Sequence, residues 1–339
     1  MTDRSARATI DPILHAALDA VNPARAVHAA LQRDGDRLAL DDAVYDLDDF
    51  AHIYVVGAGK AAVPMTQAVE EILGDRTSGG MVVTKTNHGG PTRRVAVREA
   101  QHPVPDKAGV DAGRRILHVA HQAGADDLVI ALISGGGSAL LVVPAEDISL
   151  ADLQAMTGAL LACGATINEI NCLRKHCSAV KGGQLARAAA PATLLTLVLS
   201  DVVGSPLDVI GSGPTVPDAS TWADAWAIVE RYGLADTLPD AIVARLRAGL
   251  AGDLPDTPKP NDPAFARSRT VVIADNRVAA LAALAKARES GFNAQLLTTF
   301  VQGEAAQIAK VAVALGREVQ ESGHPVAALP VSSSAARPR

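Results

Sequence analysis

Aromatic residues are scarce in this chain. Phe, Tyr and Trp together make up 3% of 339 residues, although 48% are apolar. Ala, Val and Leu must therefore fill the interior, which suits helices packed on a buried parallel sheet. Cysteine is also rare. Cys163, Cys172 and Cys177 are odd in number and their spacing fits no zinc motif. Free, buried thiols in a reducing, cytoplasmic setting are expected. No basic block interrupts a net charge of −6, which argues against nucleic acid as the main partner. No apolar run reaches membrane-spanning length. Met1–Pro12 carries charges and lacks the apolar centre of a secretory signal. No internal repeat is seen, and the length suits two domains.

Strands and helices alternate along the chain. Residues 8–33 form an amphipathic helical stretch broken at Pro23, and Leu38–Leu47 reads as a hairpin. Strands are predicted at His52–Val56, Gly80–Thr84, Arg94–Arg98, Leu128–Ile133, Thr193–Leu199, Val271–Ala274 and Ala294–Leu297. A further strand is predicted to start at Val326. Helices are predicted after residue 60 and over 108–123, 150–161, 167–180, 222–232, 241–248, 277–289 and 303–320. The pattern predicts an α/β fold: a Rossmann-like, mostly parallel open sheet with helices on both faces, plus an incomplete second α/β domain. Boundaries are expected at 1–250 for the first domain, 251–267 for a Pro-rich linker and 268–339 for the start of the second.

The central signal is Ser134-Gly135-Gly136-Gly137-Ser138, at the end of the apolar run Leu128–Ile133. Three glycines after a buried strand leave N–H groups free and let an anion approach the main chain. Gly57-x-Gly59-x-x-Ala62 has the shape of a dinucleotide fingerprint or of a plain strand-to-helix turn. The next strand ends Thr84-Lys85-Thr86, without the carboxylate that would hold a ribose, and Lys60 suits a phosphate group better. No P-loop sequence occurs.

Asn171, Arg174 and Lys175 fall within one helical turn, ahead of Lys181-Gly182-Gly183. They could hold a carboxylate or polyphosphate, or form a solvated face. Asp201 follows a buried strand, and Asp218 closes a long Gly/Pro loop. Acidic residues so placed commonly hold Mg²⁺ for phosphoryl transfer. His88 and His102 lie in loops beside strand ends, as a base, a ligand contact or a hydrogen-bonded structural group.

Together these motifs, with His102-Pro103-Val104-Pro105-Asp106, Asn171-x-x-Arg174-Lys175-His176, Ser200-Asp201-Val202-Val203-Gly204 and Ser212-Gly213-Pro214-Thr215, resemble the class II glycerate kinases. That family carries a so-called MOFRL C-terminal domain, and its bacterial members often bear the name hydroxypyruvate reductase. The resemblance runs from about residue 8 to 330. It implies ATP-dependent phosphorylation of D-glycerate to 2-phosphoglycerate, with Mg²⁺. Glycerate and nucleotide are the implied partners, without nucleic acid or membrane, and a homodimer is left open. By position it implies Lys60, Arg174 and Asp201 as catalytic residues. Ser134, Gly135, Gly136, Gly137, Ser138, Asn171 and Lys181 would bind substrate or phosphate, and Asp201 or Asp218 would hold the metal.

Three departures stand out. Ser205 occupies a position usually acidic in the family, and Cys177 one usually filled by a larger apolar residue. Family members also continue through further Gly-rich motifs where this chain has its Ser/Ala/Arg-rich residues 331–339. The expectation is a C-terminally truncated member with exposed apolar surface in its last third and activity reduced or lost. The alternatives are an NAD(P)H-dependent hydroxypyruvate reductase and an inactive remnant.

Overall fold

The computed structural model describes residues 3–326. The elements open with α1 (Asp3–Ala20), α2 (Pro23–Ala30), β1 (Leu31–Asp34), β2 (Arg37–Leu40), β3 (Ala43–Asp46), β4 (His52–Ala58), α3 (Ala62–Leu73), β5 (Thr77–Lys85) and β6 (Val95–Ala100). Next come α4 (Lys107–Gln122), β7 (Asp127–Ser134), α5 (Gly137–Leu140), α6 (Leu150–Ala162), α7 (Ile167–His176), α8 (Gln184–Ala189) and β8 (Thr193–Leu199). The chain then runs through α9 (Trp222–Arg231), α10 (Asp240–Ala251), β9 (Ser268–Ala274), α11 (Asn276–Glu289) and α12 (Ala305–Ser322).

The chain divides into two compact units. One combines the first 22 residues with those from 274 onward, and the other is Pro23–Ile273. In the first, α1 packs on α11. Neither α11 nor α12 buries a single residue, and Val311 and Val313 are exposed. The strand predicted at Ala294–Leu297 does not form, because no described strand lies beside it to complete a ladder. The predicted strand beyond Val326 lies outside the described residues.

The second unit holds a six-stranded sheet in the order β6-β5-β4-β7-β8-β9. Counted within the sheet, this is the doubly wound order 3-2-1-4-5-6. The pairings β4–β5, β4–β7, β5–β6 and β7–β8 are all parallel. Alternation along the strands feeds two cores. Val56, Ala58, Val129 and Ala131 meet α4 and α8 on one face. Val55, Leu128, Ile130 and Leu132 meet α2, α3 and the β1–β3 meander on the other. A third core joins α6, α7, α9 and α10 into a helical layer around Met156, Leu173 and Trp222. The predicted Leu38–Leu47 hairpin is present as β2–β3, with β1 added alongside.

The chain divides elsewhere than the composition suggested. In the expected linker, Thr257 is buried and Pro258 accepts a hydrogen bond from the Asp218 N–H. Ser268–Ala274 is the edge strand of the large sheet. Val271 and Ile273 pack on its core, and Arg269 forms ion pairs with Asp41 and Asp42. Proline content marked these residues as irregular, but irregular chain can still be packed.

Two glycines set how closely the central strands approach. A Cβ on Gly57 would stand 2.5 Å from the Leu132 carbonyl oxygen. Gly59 has φ +136°, and a Cβ there would collide with Ser134. Gly59→Ala combines a disfavoured backbone with overpacking. We expect it to lower stability by about 2–5 kcal/mol, read as a shifted denaturant midpoint at constant slope.

Candidate active site

In a doubly wound sheet the strand order reverses where two neighbouring strands send their chains in opposite directions, and ligands bind beyond the carboxyl ends there. Here that place lies between β4 and β7. The loop after β7 is the glycine run. Gly136 adopts φ +83° and α5 begins at Gly137. Among the described residues, no main-chain acceptor takes the N–H groups of Gly136, Gly137 or Ser138. They are available to an anion.

The loop after β4 behaves differently. The Lys60 N–H donates to the Gly135 carbonyl (2.9 Å), and the Ala61 N–H donates to Ser134 Oγ (3.1 Å). The first N–H groups leading into α3 are thus occupied by the neighbouring strand. The Gly57–Gly59 pattern, one reading of which was a dinucleotide fingerprint, serves backbone approach instead. Ser134 is buried and spends its acceptor on Ala61.

A cleft of about 540 Å³ opens at this point. Its walls are the glycine loop, the Pro103–Pro105 loop, α6, α7 and the loop after β8. Arg174 lines it, half-buried and with no ion pair or hydrogen bond among the described residues. Burial lowers its pKa, though a guanidinium stays charged. Lys60 is exposed at the rim, its Cε 3.3 Å from where a Gly136 Cβ would sit, and its ammonium also lacks a partner. Asp201 lies so close to Gly135 that any Cβ there would strike its carboxylate, which is exposed and unpaired.

Lys181 is a cation of another kind. Its Nζ donates to the carbonyls of Ser138 (2.7 Å) and Leu141 (3.1 Å) and reaches Ser138 Oγ at 3.4 Å. Burial, aided by the Arg174 charge, pushes its pKa down to about 7. Ser138 Oγ also bonds Ser212 Oγ (2.7 Å), which donates to Asn171 Oδ1 (3.0 Å). This chain fixes the cleft floor and leaves the Asn171 amide N–H groups for a ligand.

The two metal candidates part company. Asp218 is 1% exposed and does not line the cleft. Its Oδ1 receives Lys175 Nζ (3.2 Å), the Ser220 N–H (3.0 Å) and Ser220 Oγ (2.8 Å), and its Oδ2 receives Thr257 Oγ1 (3.0 Å). Both of its oxygens thus accept from protein donors, the arrangement of a structural ion pair. Lys175, grouped with Asn171 and Arg174 by helical spacing, turns to Asp218 instead. No group of three or more His, Cys, Asp or Glu able to hold a metal exists among the described residues.

His102 was one of two loop histidines with open roles. It lines the cleft, its Nε2 3.1 Å from the hypothetical Gly136 Cβ, without a described hydrogen-bond partner. Burial and the charges of Lys60 and Lys85 lower its pKa, partly offset by Asp201. His88 is exposed, lies outside the cleft and contacts the Thr86 carbonyl. The three thiols are free. Burial raises Cys172 to about 11 and Cys177 to about 12.

A family described as a domain of unknown function, DUF4147, matches residues 9–247. A glycerate 2-kinase from Pyrococcus horikoshii is 38% identical over 91% of this chain and 68% of its own length. The chain belongs to the class II glycerate kinase family. Another relative in the family, from Agrobacterium vitis and provisionally named a hydroxypyruvate reductase, is 44% identical over 81% of this chain. The chain spans 60% of that relative's length. The crystal structure of a Thermotoga maritima glycerate kinase superposes with a TM-score of 0.80 at 35% identity, covering 95% of this chain and 72% of that one. Family members thus share the sheet and the helical layer described above.

Asp218 separates a structural from a metal-binding role. Burial alone would raise its pKa, but Lys175 and Ser220 together hold it below the usual carboxylate value. A depressed folded pKa gives stability that is complete above the unfolded value of about 3.9 and is lost as pH falls through the folded one. Asp218→Asn should therefore destabilise the chain by about 3–5 kcal/mol near neutrality and weaken its acid sensitivity, both read from urea titrations across pH.

Proposed function

We propose that this chain phosphorylates D-glycerate on its 2-hydroxyl, with ATP as donor. The observation that carries this reading is the meeting of two unpartnered cations and one unpartnered carboxylate on a glycine loop with free N–H groups. Phosphoryl transfer asks mainly for positioning and for neutralisation of charge.

Arg174 and the Asn171 amide would grip the glycerate carboxylate, since a guanidinium matches a planar carboxylate in two contacts. The N–H groups of Gly136–Ser138 would cradle a phosphate, held in shape by Lys181 from below. Lys60, reaching over Gly136, would stabilise charge on the transferring group. The neutral His102 would take the proton as the 2-hydroxyl oxygen bonds to the γ-phosphorus and the bond to the β-phosphate oxygen breaks. An unpaired carboxylate beside a phosphate cradle repels its ligand unless a cation stands between them. Asp201 therefore fits a Mg²⁺ arriving with the nucleotide, held by one carboxylate and phosphate oxygens. That ion would neutralise polyphosphate charge.

The reductase reading has less support. A nicotinamide dinucleotide would draw on the N–H groups of the turn ahead of α3, and those of Lys60 and Ala61 are already bonded to Gly135 and Ser134. Residues 23–273 would correspond to the family's larger domain, and those from 274 onward to the start of its MOFRL domain. Free thiols and the lack of any helix long and apolar enough to cross a membrane, among the described residues, accord with a cytoplasmic setting.

Lys60→Met should cut ATP-dependent phosphorylation of glycerate about a hundredfold or more, with an unchanged melting curve. An equal rate removes Lys60 from the reaction. The acid limb of kcat/KM should fall below the ordinary histidine value of about 6.5. Removing a repelling charge by Lys85→Met should raise the His102 pKa and move that limb to higher pH. A limb that stays in place denies His102 the proton-accepting role.

A further inference from the structure

One side of the cleft is not explained by glycerate. Gly158 sits in the middle of α6, where glycine costs about 1 kcal/mol relative to alanine. Nothing local requires it. Its φ is not left-handed, and an added Cβ would meet no atom within 4 Å. That open space is the cleft itself. Gln154, Thr157, Gly158 and Leu161 lie on one stripe of α6 and all line the cavity.

Around this stripe, large apolar side chains stand in water. Val104 is 61% exposed, Leu161 63% and Ile167 55%, yet all three line the same cavity. The Pro103–Pro105 loop is fixed beside the stripe by Gln154 Nε2 donating to the Pro105 carbonyl (2.7 Å). The Thr157 hydroxyl, next to Gly158, has no partner among the described residues. The trough is continuous with the polar end. From the α6 stripe to the free N–H groups of Gly136–Ser138, the lining of the one cavity runs from apolar to anion-binding.

An occupant must match that gradient with a flat apolar head and an anionic tail. Glycerate, with three carbons, fills only the polar end of a cavity of about 540 Å³. A purine nucleoside carrying phosphates has the right order of groups. We propose that the α6 trough binds the base and ribose of the nucleotide. The ring lies flat over Gly158 between Val104 and Leu161, and Thr157 offers its hydroxyl to a polar edge. This assignment rests on the nucleotide-dependent reading above, and it adds the residues that would distinguish a nucleotide from bare polyphosphate.

The test uses the full chain and calorimetric titration with ATP and with inorganic tripolyphosphate. The wild type should bind ATP about tenfold or more tightly than tripolyphosphate. Gly158→Leu fills the trough with a better helix former. It should abolish that advantage while leaving tripolyphosphate affinity unchanged. Gly158→Ala, the milder change, should weaken ATP by a smaller factor with a melting temperature equal or higher. Its result decides the matter if the leucine variant unfolds. Equal wild-type affinity for the two ligands, or a glycine variant that folds and keeps full ATP affinity, overturns the trough assignment and leaves the phosphate end of the site standing. Binding of neither ligand by the wild type overturns the trough and the nucleotide-dependent reading together.

Discussion

The contact between the carboxyl ends of β4 and β7 governs the site. Two backbones meet there at a distance that only glycine at 57 and 59 permits. Their closeness brings the Lys60 stem over Gly136 and lets Ser134 reach the Ala61 N–H. Widening that gap by one methyl group would separate the rim cation from the loop it overhangs. The same contact occupies the Lys60 and Ala61 N–H groups ahead of α3 and leaves the run after β7 as the open cradle.

Charges in this unit fall into two groups, and partnership and burial divide them alike. Lys175, Lys181 and Asp218 are buried, and each is bonded to protein atoms. They hold loops together. Lys60 and Asp201 are exposed, Arg174 is half-buried, and none has a protein partner described. Charges left without a counter-charge are a standing cost until a ligand with the opposite pattern enters. An acid with an attached hydroxyl, met by a polyphosphate, has that pattern.

Much of this was legible in the sequence, for physical reasons. Leu128–Ile133 is apolar at every position because a central parallel strand is buried on both faces. The glycine run announced itself because no regular element tolerates three glycines. The motifs around Lys60, Arg174 and Asp201 pointed to the residues that converge. Other features were out of reach. Helical spacing put Asn171 and Lys175 on one face, but only the fold reveals that Lys175 turns to Asp218. Asp218 looked like a ligand because an acid in a Gly/Pro loop reads the same whether or not its oxygens are already taken. Val271 and Ile273 gave no hint of which sheet they would join, since strand pairing is a long-range choice. His102 sat within a cis-proline loop whose position over Gly136 no local pattern encodes. Gly158 carried no signal at all, being one glycine in an otherwise ordinary capped helix.

The cleft draws on loops after β4, β7 and β8, which lie next to each other in the middle of the sheet, and on the His102–Pro105 loop after the edge strand β6. Lys60, Gly135, Arg174 and Asp201 are far apart in sequence, so their meeting closes several long loops at once. Chemistry at this place therefore requires the central strands to be paired. Fraying at the β9 edge leaves it intact, whereas no partly folded intermediate lacking the central strands could display it. Catalytic competence would in this sense report on the innermost layer of the fold.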